Sequence, residues 1–156
     1  MPLRALALHV AKERSIYPAN TKLKNQVSVF DAIYSQEVLY TLPNLHAHAT
    51  LAFNILKDKG FYFATMGCYR ENPFWAQRKE IIRTQESYPV CDYSLEEVVR
   101  AFEGVGFEVG LKKLPMEYFV IHGAKSAREF GGVLNLLTHC HEHKLLFCFY
   151  KQSTHV

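Results

Sequence analysis

Three short stretches of this chain gather side chains that could do chemistry. Ser35-Gln36-Glu37 places a hydroxyl, an amide and a carboxylate in a row, between the apolar run VFDAIY and the segment VLYTLPN. Met66-Gly67-Cys68-Tyr69-Arg70-Glu71-Asn72 follows a second apolar run, FYFAT, and offers a thiol, a phenol and a guanidinium. Cys68 could be a nucleophile if its thiolate were stabilised, and Arg70 is the one nearby residue that would lower its pKa. Thr138-His-Cys-His-Glu-His143 is the third stretch. On a helix His139 and His143 share a face one turn apart, which suits a metal ion. No separate cysteine or carboxylate is signalled to complete that set, and histidines are also favoured at a helix end by its dipole. His141 rather than His139 continues the stripe of Phe130, Leu134 and Leu137. His46 and His48 are a weaker pair, since His48 falls on the apolar side of its helix. The plain alternatives for the first two stretches are a strand exit whose polar residues cap a turn, and a solvated loop.

The elements that must position these groups follow from periodicity. LRALALHVAKER (3–14) places Leu3, Leu6, Ala7 and Val10 on one helical face, and a polar connector runs to residue 27. A strand is expected over 28–34. Asn44 then caps a helix carrying Leu45, Ala49, Ala52, Phe53 and Leu56, closed by Gly60. A strand over 61–67 and a helix opening at Asn72-Pro73 and running to about residue 86 come next. Ser94 and Glu97 form a capping box ahead of Leu95, Val98, Val99 and Phe102. Strands are expected at 107–114, 117–122 and 145–150, with a helix between the last two that begins at a second capping box, Ser126 and Glu129. Strands alternating with helices predict an α/β fold with a covered, mainly parallel sheet. Ligands in such sheets bind at the carboxyl ends of the strands, where the first two chemical stretches fall.

The 156 residues suit a single domain with a real core, and 49% hydrophobic with 21% charged residues is ordinary for a globular chain. A net charge of +3, spread out and without a stacking-aromatic motif, argues against nucleic acid. No apolar run has membrane-spanning length. The apolar start is interrupted by Arg4 and His9 with no cleavage site after it, so cytoplasm is expected. Four scattered cysteines (Cys68, Cys91, Cys140, Cys148) are then expected as free thiols.

FDAIYSQEVLYTLPN resembles the fourth strand and following segment of class I S-adenosylmethionine-dependent methyltransferases. LAFNILKDKGFYFAT looks like the family's next helix and fifth strand, SLEEVVRAFEGVGFEV like its last helix and sixth strand, and HKLLFCFYK like its closing antiparallel strand. The resemblance covers about residues 28–150. It implies a partial Rossmann-like sheet, mostly parallel with an antiparallel last strand, helices on both faces, and S-adenosylmethionine as cofactor. Ser35, Gln36 and Glu37 match the cofactor-lining segment, with Glu37 as a candidate catalytic base. Tyr40, Tyr69, Arg70 and Trp75 match the acceptor-binding region, and a small-molecule acceptor is expected.

The family's glycine-rich turn after its first strand has no counterpart, since all eight glycines lie at or after Gly60, and neither does the acidic residue that ends its second strand. The expectation is one truncated methyltransferase-like domain, with helix and connector over 1–27 and the C-terminal half of the fold over 28–150. Strand 28–34 would then be an open apolar edge. Self-association through that edge, or by exchange of the N-terminal helix, is expected. The alternatives are a non-catalytic self-associating remnant and a small metal-binding α/β protein.

Overall fold

The computed structural model describes residues 5–9, 27–85, 89–114 and 144–153. Five strands form one sheet: β1 (Ala5–His9), β2 (Phe30–Gln36), β3 (Leu56–Met66), β4 (Phe107–Lys113) and β5 (Leu145–Lys151), in the order β1-β2-β3-β5-β4. The β1/β2 and β2/β3 pairs are parallel, and β5 is antiparallel to both of its neighbours. Four strands therefore run one way and only the closing strand is reversed, as expected. Three helices are described: α1 (Leu45–Ile55), α2 (Trp75–Gln85) and α3 (Leu95–Glu103).

The start of the chain differs from the expected helix. Residues 5–9 form β1, pairing with β2 from Ala5 opposite Ala32 to His9 opposite Gln36. ALALH alternates as well as it follows a helical stripe, so local sequence leaves the choice open. The ladder of backbone groups along β2 decides it, because those groups need partners. The correction has a consequence for the expected edge: among the described residues β2 is flanked on both sides, by β1 and β3, so the strand expected to lie open at 28–34 is covered.

Gly60 also has a different job. Helix α1 starts at Asn44, whose side chain accepts the Ala47 N–H at 2.9 Å, but it ends at Ile55, and β3 begins at once. The last carbonyls of α1 are met by Lys151, whose Nζ donates to the carbonyls of Phe53 and Leu56, each at 2.8 Å. A buried ammonium supplied from β5 thus does the work expected of a glycine cap. Gly60 sits inside β3, where a Cβ would lie 2.8 Å from the Lys57 carbonyl and 3.1 Å from that of Asp31, so close approach to β2 requires its bare Cα.

The capping box of α3 is present: Ser94 Oγ accepts the Glu97 N–H at 3.1 Å, and Glu97 accepts the Ser94 N–H at 2.7 Å. Phe102 and Val98 on this helix are fully buried. With Leu45, His48, Ala49 and Ala52 of α1 they cover one face of the sheet, which presents Ile33, Ser35, Tyr62, Ala64, Phe147 and Phe149. Phe102 lies flat on Phe149 with ring centres 3.7 Å apart. The opposite face carries the half-buried Tyr34, Phe63, Cys148 and Tyr150. The extended piece at 117–122, the helix from Ser126 and the metal candidates His139 and His143 lie outside the described residues. No described helix is long and apolar enough to cross a membrane.

Candidate functional site

β1, β2 and β3 are parallel, so their carboxyl ends fall together. At that edge stand His9, Gln36 and Thr65, aligned across the three strands. The first two chemical stretches of the sequence follow directly, Glu37 after β2 and Gly67 to Asn72 after β3.

Glu37 leaves β2 with φ of 54°, a left-handed conformation that costs a non-glycine residue about 1 kcal/mol. Three contacts hold it there. Its N–H donates to the Thr65 carbonyl at 3.0 Å. Its carboxylate accepts the Gly67 N–H at 3.2 Å and pairs with Lys144 Nζ at 2.7 Å. Lys144 precedes the reversed strand β5, which brings a cation to the same edge from far along the chain. Gly67 is closely surrounded: a Cβ there would press on Arg78 Nη1 at 3.3 Å and lie 3.7 Å from the Glu37 carboxylate. The site is thus an ionic cluster of Glu37, Lys144 and Arg78 around a bare backbone. Both carboxylate oxygens of Glu37 are engaged, so the group is fixed in position.

Ser35 faces the other way. Its hydroxyl is fully buried and lies 2.8 Å from Tyr62 OH, which in turn lies 2.8 Å from His48 Nε2. Burial pushes His48 down to about 4, so the ring is neutral near pH 7. This chain ties β2, β3 and α1 together inside the core. Tyr62→Phe is expected to leave two buried polar groups short of a partner and to lower unfolding free energy by about 2 kcal/mol, read by urea titration. Of the Ser35-Gln36-Glu37 triplet, Gln36 therefore stands at the sheet edge, Glu37 is locked beside it, and Ser35 is sealed in the core. Next to Gln36 across the ladder, Thr65 Oγ1 is buried and has no hydrogen-bond partner among the described residues.

Tyr40, Tyr69 and Trp75 are all packed inside, and Arg70 is the exposed member of the group. The Tyr40 and Trp75 rings meet edge to face at 6.0 Å. Burial pushes the Tyr69 phenol up to about 12. Arg70 pairs with Glu97 at 3.2 Å and donates to the Asp92 carbonyl. Cys68 is buried, and burial together with the Glu37 charge pushes its thiol up to about 12, which removes it as a nucleophile at neutral pH. Cys68, Cys91 and Cys148 are free thiols, as expected. His48 is a core group, and no cluster of three or more metal-binding side chains occurs among the described residues.

Sequence reasoning missed Lys144, Tyr62 and Asp92. The only trace of Lys144 was its place just before an apolar strand. Asp92 lies in a short polar connection with no distinguishing pattern.

No known family model matches this chain, nor does any curated protein. Its fold does match solved structures. A putative methyltransferase from Haloferax volcanii, solved in complex with the Trm112 methyltransferase activator, is 19% identical with a TM-score of 0.63, over 84% of this chain and 57% of that one. A SAM-dependent methyltransferase from Thermotoga maritima, possibly a histamine N-methyltransferase, is 16% identical with a TM-score of 0.55, over 81% of this chain and 58% of that one. Geranyl diphosphate C-methyltransferase from Streptomyces coelicolor is 13% identical with a TM-score of 0.56, over 81% of this chain and 48% of that one. The chain spans about half to three fifths of the length of these structures, and shares with them the fold of class I S-adenosylmethionine-dependent methyltransferases.

Proposed function

We propose that this chain, having the fold of the class I methyltransferases, holds S-adenosylmethionine at the carboxyl ends of β1 and β2 and serves methyl transfer to a small-molecule acceptor. What supports the reading is the sheet itself, with four strands in one direction and a reversed closing strand, together with the polar groups at its carboxyl edge. The residues at that edge fit such a ligand. Thr65 Oγ1 is a buried hydroxyl in want of a partner, and Gln36 stands beside it. The donor, when bound, supplies an electrophilic methyl group on a sulfonium. The chain's own part is orientation and exclusion of water. Gln36 and Thr65 would bind the donor, and Glu37, pinned by Lys144 and the Gly67 N–H, would fix the wall beside it. Glu37 could take a proton from an acceptor only by giving up its contact with Lys144. Tyr40, Tyr69 and Trp75 would form the packed backing of the acceptor side, with Arg70 at its rim.

Titration calorimetry with S-adenosylmethionine and S-adenosylhomocysteine tests the reading. Saturable one-to-one heat with Kd below about 1 mM is expected, weakened about tenfold by Gln36→Ala. No heat from either ligand at that concentration would sink it. The second reading, a non-catalytic protein of the same fold, would then stand. It is favoured by the Ser35 hydroxyl being sealed in the core and by the share of its neighbours' length that the chain spans.

A further inference from the structure

Residues Cys91–Tyr93 run between α2 and α3 and touch Tyr40, Arg70 and Trp75. The Cys91 N–H donates to the Tyr40 carbonyl at 2.7 Å, and Tyr93 OH donates to the Leu42 carbonyl at 2.6 Å. The Tyr93 carbonyl accepts the Arg70 N–H at 2.8 Å. Between them, the Asp92 carboxylate spreads over three donors. Oδ1 accepts Trp75 Nε1 at 2.7 Å, Oδ2 accepts Lys79 Nζ at 3.2 Å, and Arg70 Nε lies 4.0 Å from Oδ1. The Trp75 indole bond, followed by the Lys79 and Arg70 cations, holds this carboxyl below the usual carboxylate range.

Trp75 is 2% exposed and Tyr40 5%, so neither ring has freedom of its own. An indole N–H buried among rings needs an acceptor, and Asp92 is the one it has. Asp92 reaches in from a partly exposed backbone, with 41% of its side chain open to solvent. One surface carboxylate therefore ties the start of α2, its first full turn and the exit loop of β3 to a segment that is itself bonded to the Leu39–Thr41 turn after β2.

We propose that Cys91–Tyr93 is a strap that sets the width of the acceptor side, with Asp92 as its positioning residue acting through Trp75 and Arg70. The assignment to the acceptor side rests on the methyl-transfer reading above. The mechanical part of the proposal does not. With Asp92 in place the β3 exit loop and α2 move with the strap. Without it, Trp75 loses its acceptor and Arg70 and Lys79 lose their shared anion, and the wall loosens while the sheet edge at Gln36 and Thr65 is untouched.

Trp75 is the sole tryptophan of the chain, so its fluorescence reports the wall directly. Acrylamide quenching is measured on the full chain and on Asp92→Ala and Asp92→Asn, with far-ultraviolet circular dichroism as the check on folding. Asp92→Ala is expected to raise the quenching constant about threefold, through local opening. Asp92→Asn keeps an oxygen for the indole and is expected to restore protection to near the wild-type value. Quenching in Asp92→Ala equal to wild type would overturn the strap, and so would an Asp92→Asn chain that is unfolded or as quenchable as Asp92→Ala. S-adenosylhomocysteine binding by calorimetry places the strap relative to the donor. Affinity within about twofold of wild type in Asp92→Ala is expected, and a loss of about tenfold or more would move the strap to the donor side and overturn its assignment. If wild type binds no S-adenosylhomocysteine, the methyl-transfer reading and the acceptor-side assignment fall together. The strap itself is still decided by Trp75.

Discussion

Phe102→Ala is expected to lower the unfolding free energy by about 3–5 kcal/mol and the melting temperature by about 10 °C. Phe102 is fully buried on α3, stacked on Phe149 at 3.7 Å. Its ring centre also lies 5.7 Å from those of Tyr62 and Phe107, and 6.2 Å from that of His48. Three strands and α1 thus close around one ring. Truncation leaves a cavity that cannot collapse, because its walls are flat rings already pinned on their far sides by the sheet. The same truncation at Leu111, an exposed side chain on the edge strand β4, is expected to stay within about 0.5 kcal/mol. Thermal and urea unfolding of the two variants check this. A loss below about 1.5 kcal/mol for Phe102→Ala would mean that α3 does not depend on the stack.

Acid is expected to remove about 3 kcal/mol of stability through His48 alone. The ring is held neutral at about 4 when folded, against an ordinary value of 6.5 when unfolded. Between those two values the unfolded chain binds a proton that the folded chain refuses, so stability falls as pH falls through that window and is fully present above 6.5. The gap between 6.5 and about 4 corresponds to about 3 kcal/mol. Urea midpoints measured from pH 7.5 to pH 4.5 should therefore slope downward, and His48→Gln should flatten the slope. A slope unchanged in His48→Gln would remove His48 from the account. The two predictions concern the same region, because His48 and Tyr62 both touch the Phe102 ring. The double variant should be non-additive.

Much of the architecture could be read along the chain because it is locally encoded. Ser94 and Glu97 satisfy each other's backbone within one turn, and Asn44 does the same for Ala47, so these helix starts needed no tertiary information. The closing strand LLFCFY and the run VFDAIY were likewise visible as strands, though β2 runs two residues further, to Gln36. The placement of Ser35-Gln36-Glu37 and of the Cys68–Asn72 stretch at one edge followed from the strand-end rule alone.

The failures have one physical cause: each depended on a partner remote in sequence. ALALH is a strand because β2 offers it a ladder, and Gly60 lies inside β3 because the Asp31 carbonyl comes close. Which of Ser35 and Gln36 faces the core is a matter of parity, fixed only when β2 takes its register against β3. Glu37 is a pinned carboxylate because Lys144 arrives just ahead of β5, and Trp75 is anchored because Asp92 accepts its indole N–H. The sequence by itself determined the helix starts at Asn44 and Ser94, the strands around VFDAIY and LLFCFY, and the edge at which chemistry collects, since hydrophobic period and capping are short-range. Only the tertiary structure decided which side chains reach that edge, because orientation and ionic pairing are set by neighbours that the chain brings together last.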